Sequence, residues 1–260
     1  MSPAARFLLF QLMIIAPFLA GMAFRKRISS ARDLTRRLIR LNLVLIEPCI
    51  AIWSIWGLDL RRDMAVLPVS GLLLAVTGLV LGRMVLAALP LQGRSKASFL
   101  ISSSIANHGF TMGTFLCFFF LGEEGLGLSF LFVSYFLIYV FTVIFPYARS
   151  VSSPLEDRPG IRAYVLDIQN MPLLAVAIAL VLHVFRVPRP GVSFPIDPLM
   201  MISIAVYYFS LGMSFTPSRV FSFLRENAAL SFIKFLAVPA ITVGVLAMVT
   251  LDPKVEAVII

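Results

Sequence analysis

Charge is scarce in this sequence. Of its 260 residues only 13% are charged, while 60% are hydrophobic and the mean hydropathy is +0.96. Soluble domains carry roughly a quarter of their residues as Asp, Glu, Lys or Arg, so this balance excludes a soluble globular domain and indicates a polytopic membrane protein. Cysteine is almost absent: Cys49 and Cys117 both lie in apolar segments, where they are expected to pack as small hydrophobes and not to form a structural disulfide. No metal-ligand constellation, Walker loop, nucleotide fingerprint or G-x-S-x-G motif occurs, so no cofactor, no metal and no enzymatic activity are expected. The net charge of +9 is dispersed over short connections. It reads as loop bias and contact with anionic lipid, not as a nucleic-acid surface.

What the chain has instead is long apolar runs. A spanning helix needs about 20 mostly apolar residues, and eight segments qualify, at 7–24, 41–58, 64–84, 98–121, 126–147, 164–185, 197–216 and 228–250. A ninth begins at "VEAVII". Runs of this length predict helices, since barrel strands are about half as long. The first run has a signal-like "AGMA", but Arg25, Lys26 and Arg27 follow it directly, so it reads as a retained span with its N-terminus outside. In that orientation 14 basic residues fall on the inner side and 6 on the outer, which makes the inner side cytoplasmic, and a multi-pass protein of the cell membrane is expected.

The only long polar connection, within 151–163, divides a five-span half (1–150) from a second, incomplete half (164–260). "APFLAGMAF" in span one and "MPLLAVAIA" in span six share Pro-x-Leu-Ala. Two halves of five spans have opposite topologies, the inverted-repeat plan of many secondary transporters.

In the middle of the fourth run stands "ISSSIANHGFTMGT", residues 101–114. Polar groups facing lipid cost several kcal/mol each, so this face must meet protein or a cavity. One reading is a continuous helix. Gly109 and Gly113, extended by Ala106 and Ser102, then make a small-residue face, and Ser103, Asn107, Thr111 and Thr114 a polar arc, with Ser104 and His108 at its edge. The other reading is a helix interrupted near 107–113. Asn107, His108, Gly109, Thr111 and Gly113 would then line a substrate site built from loosened backbone. Asn107 can donate and accept, and His108 can change protonation near neutral pH.

Glu47 lies about 10 Å beyond Arg40, well inside span two. A carboxylate there is either protonated or paired, and serves ion coupling or a structural hydrogen bond. Pro48 beside it frees a carbonyl near residue 44. Lys234, a turn and a half into the last span, either snorkels to the interface or takes part in coupling.

With these spans placed, the order of marks resembles the auxin efflux carrier family of membrane transporters. The marks are "PFLAGMAFRKR", "NLVLIEP", "NHGFTMG" with "FLGEEGLG", "QNMPLLAVAIAL", "FSLGMSF" and "IKFLAVPAI". The resemblance implies ten helices in two inverted five-helix repeats. The fourth and ninth would be broken and cross at a binding site between a scaffold and a mobile transport domain. Asn107 to Gly113 correspond to the first crossover; Thr114 and Phe115 stand where relatives commonly have a proline. On this reading the second crossover falls beyond residue 260. The expected partners are a small organic anion, the lipid bilayer, a proton or sodium as coupling ion, and a second copy in a homodimer. Two alternatives are a membrane-embedded sensor subunit without transport, and a sodium-coupled symporter of the bile acid–sodium type. An intramembrane enzyme would need Glu47 and His108 within hydrogen-bond reach.

Overall fold

The structure is a computed structural model and describes residues 3–25, 27, 30–105, 112–144, 146–147 and 171–260. Among the described residues every regular element is helical. In order these are α1 (Pro3–Arg25), α2 (Ala31–Trp56), α3 (Val66–Leu86), α4 (Gly93–Ser104), α5 (Gly113–Val133), α6 (Tyr135–Tyr139), α7 (Met171–Val184), α8 (Ile196–Ser214), α9 (Pro217–Ser222), α10 (Leu224–Leu246) and α11 (Pro253–Ile259). Among the described residues six helices are long and apolar enough to cross a membrane: α1, α2, α3 with its preceding turn, α5, α8 and α10. Phe7, Leu8, Leu12, Ile15 and Leu19 of α1 are all exposed on the chain's surface. An apolar helix face left uncovered by protein belongs in lipid. The chain therefore has the build of an all-α multi-pass membrane protein.

The span boundaries differ from the sequence expectation in identifiable places. The run at 98–121 is not one helix, because α4 ends at Ser104 and α5 starts at Gly113. Within α5 the backbone leaves helical geometry at Gly122 (φ 69°, ψ −156°), a left-handed conformation that only glycine adopts without strain. That kink falls at the start of the connection between the fourth and fifth apolar runs, 122–125. The sixth run is helical from Met171 onward, its first residues lying outside the described ones.

Among the described residues three stretches are wound as π-helix: Asn42–Ile46 inside α2, Val140–Ile144 after α6, and Ile233–Ala237 inside α10. Each ends two residues before a proline, Pro48, Pro146 or Pro239. A proline ring collides with the carbonyl four residues earlier, which here belongs to Val44, Thr142 or Phe235, the central residue of each π stretch. Widening the turn moves that carbonyl aside while the helix continues. Pro17, by contrast, sits in α1 without such a stretch.

The chain divides into two compact units, each drawing on both ends of the sequence. The first holds residues 1–58, 118–127 and 160–217. In it α1 packs along α8, and α2 packs on α7 and α8. The α1–α8 contact is reciprocal: a Cβ on Gly21 would strike the Phe209 carbonyl oxygen, and one on Gly212 the Phe18 carbonyl oxygen. Small residues at such a crossing let two backbones touch. After α7 the chain is strapped onto the end of α2. Trp56 Nε1 donates to Val187 O at 2.8 Å, His183 Nε2 lies 2.7 Å from Ile55 O, and Trp53 stacks on Phe194 at 4.6 Å. Arg189 sits 4.0 Å over Trp53 and 2.6 Å from Glu123.

The second unit holds residues 59–117, 128–159 and 218–260. Here α3 is the centre, packed by α4, α6, α10 and α11. Leu86, Leu89, Phe99, Leu100, Ile233 and Val238 form one buried cluster, and Ala75, Tyr135 and Tyr139 another. Gly78 and Gly82 let α4 lie close on α3, since a Cβ at either would strike Ser103.

Candidate functional site

The polar stretch coincides with a break in the helix. Ile105 is extended (φ −87°, ψ 99°) and Met112 is also non-helical (φ −129°, ψ −57°), so α4 and α5 are separate helices and the continuous-helix reading is set aside. Before the break, the buried Ser103 and Ser104 hydroxyls donate back to Leu100 O at 2.8 Å and Ile101 O at 2.9 Å. Such back-bonding satisfies the hydroxyls inside an apolar unit and competes with the helix at its end. Asn107, His108, Gly109 and Thr111 lie outside the described residues.

Gly113 begins α5 and lines a cavity of about 290 Å³ within the second unit. Lys234, Val238 and Thr242 of α10 line it too, and Leu74, Leu116, Phe132, Val258, Ile259 and Ile260 are among the rest of its wall. Two candidates separated by more than a hundred residues thus meet at one cavity. The first N–H groups of a helix lack intrahelical acceptors and carry partial positive charge, and Lys234 adds an ammonium. The remaining surface is mostly apolar. Such a cavity suits a small anion with a hydrophobic body. Thr114, next to Gly113, is fully buried, and its hydroxyl has no hydrogen-bond partner among the described residues.

A second cavity of about 420 Å³, also in this unit, lies between α4 and the first part of α10. Ser95, Ser98 and Ser102 line it from α4, Glu226 and Asn227 from α10.

Glu47 and Pro48 belong to the first unit. The Glu47 carboxylate is buried and accepts from Tyr207 Oη and, at 3.4 Å, from Asn42 Nδ2. Asn42 Nδ2 also lies 2.9 Å from Ser203 Oγ and 3.4 Å from Ser203 O. The group ties α2 to α8 by hydrogen bonds instead of an ion pair. Asn42, Ser203 and Tyr207 were not singled out from the sequence. A polar residue in each of two apolar runs was the available signal, but nothing in the sequence paired them.

Among the described residues no group of three or more His, Cys, Asp or Glu side chains could hold a metal ion. Compared with protein-family models, curated proteins and solved structures, the chain matches none.

Proposed function

We propose that this chain is a secondary transporter of small organic anions, working by alternating access around the break between α4 and α5. The observation that carries the reading is the meeting of a helix N-terminus at Gly113 with Lys234 at one largely apolar cavity. Anions are stabilised by that combination, and transporters place substrates where spanning helices are interrupted. Asn107, His108, Gly109 and Thr111 complete the substrate site in this proposal.

The inverted five-plus-five plan of the auxin efflux carrier family is part of the same reading, with the N-terminus outside and eight spans within these residues. Its support is the resemblance of the sequence marks together with two compact units that each interleave segments from both halves. In that plan one unit serves as scaffold and the other, holding the cavity, as the moving part. Glu47 then belongs to the scaffold, and its hydrogen bonds to α2 and α8 residues favour a structural role.

Uptake of radiolabelled indole-3-acetate and of small dicarboxylates into proteoliposomes tests the proposal. Saturable uptake that vanishes in Lys234→Gln, at unchanged protein incorporation, is the expected result. Saturable binding without flux would instead make the chain a ligand-binding subunit.

A further inference from the structure

The first part of α2 carries a charge pattern that neither unit absorbs. Arg32, Arg36 and Arg40 recur every fourth residue, with Arg37 beside them, and all four are exposed. Residues at that spacing share one face of an α-helix. On the other side Leu34, Thr35 and Leu38 are half-buried, with Thr35 Oγ1 4.0 Å from Met213 Sδ of α8. The ion pairs among the described residues join Arg61 to Asp63 and Asp252, and Arg189 to Glu123. None engages these four guanidinium groups. Asp33 is the one carboxylate within the stretch.

Helix length fixes how deep these arginines lie. α2 runs 26 residues without interruption, about 39 Å at 1.5 Å per residue, whereas a hydrocarbon core is about 30 Å thick. Trp56 closes its other end, its indole donating to Val187 O, and tryptophan is enriched at the membrane–water interface. Counting back about 20 residues from Trp56 puts the edge of the core near Arg37. Arg32 and Arg36 then project at headgroup depth, and Arg40 reaches the same layer by extending its side chain. A segment continuous with a span, and packed on α8, cannot swing away to meet a soluble partner.

We propose that this stripe is a binding site for anionic phospholipid headgroups in the leaflet that α2 enters. A guanidinium presents a planar fork of donors matched to phosphate oxygens, and successive arginines on one helix face can hold adjacent headgroups. The inference rests on the membrane-spanning build alone and not on transport.

The test is native mass spectrometry of the whole chain released from detergent containing equal phosphatidylglycerol and phosphatidylcholine. Retention of phosphatidylglycerol over phosphatidylcholine, weakening as salt is raised, is expected for the unaltered protein. Replacing Arg32, Arg36 and Arg40 together by Gln should weaken that preference about a hundredfold, near fivefold for each charge removed. The triple Lys replacement should keep most of it, because the charges remain. Equal retention of the two lipids by the unaltered chain would overturn the proposal, whatever the variants do. So would displacement of the lipid by an equal concentration of inorganic phosphate, which would mean a site for free phosphate.

Discussion

Asn42 and Glu47 stand five residues apart, yet the Asn42 amide lies 3.4 Å from the Glu47 carboxylate. In an α-helix that spacing would point the two side chains roughly 140° apart. The π winding of Asn42–Ile46 closes the angle, and Pro48 is its steric cause. Glu47 thereby gains a buried donor from its own helix, and the same amide reaches Ser203 on α8.

Pro48→Ala should let this stretch relax to α-helix and separate the pair. The expected loss is about 1–3 kcal/mol of stability, the cost of leaving a buried polar group unpaired, read as a lower unfolding midpoint in detergent. Tyr207→Phe should cost a similar amount by removing the other donor. An unchanged midpoint for Pro48→Ala would show that the winding does not depend on the proline.

The reciprocal glycines of α1 and α8 make a sharper stability prediction. Gly21→Ala and Gly212→Ala each push a methyl group against a carbonyl oxygen of the facing helix. Overpacking of this kind costs about 1–3 kcal/mol. Gly191→Ala has open space around it and should leave unfolding unchanged.

For the transport proposal, Lys234→Gln and Asn107→Ala should each lower anion uptake at least about tenfold, equivalent to about 1.4 kcal/mol. Lys234→Arg should retain part of it. Uptake by Asn107→Ala at the unaltered rate would remove Asn107 from the site.

Outside the spans, Asp252 receives Arg61 Nη2 at 2.9 Å and the Lys254 backbone N–H at 2.9 Å, where it caps α11. The Arg61 hydrogen bond above all, then the backbone donor, holds its carboxyl below the usual range. A depressed acid contributes its stabilisation above the unfolded value of about 3.9 and loses it as pH falls through its own lower midpoint. Carbon NMR titration of Asp252 should therefore show a midpoint below about 3.9. Arg61→Ala should raise that midpoint.

Part of this architecture was legible in the sequence, for physical reasons. Apolar runs of about 20 residues mark spans because lipid tolerates little else. "ISSSIANHGFTMGT" showed that this face could not meet lipid, because serines, asparagine and glycines are poor company for hydrocarbon, but it left a continuous and an interrupted helix open; the helix ends at Ser104. Lys234 could be placed within the last span, but its approach to the cavity beginning at Gly113 is a tertiary fact with no local trace. The Asn42–Glu47 pair was hidden for a different reason: α-helical periodicity puts the two on different faces. The proline that changes the winding comes after both of them.

A π stretch amounts to one surplus residue accommodated in a helix. Upstream and downstream of it, the same face is presented by residues about 100° out of step. Cysteine labelling along α2 and α10 should therefore reveal stripes of reactivity that jump sideways by one position across Asn42–Ile46 and Ile233–Ala237. Any helical wheel drawn through either span will assign one half of it to the wrong surroundings.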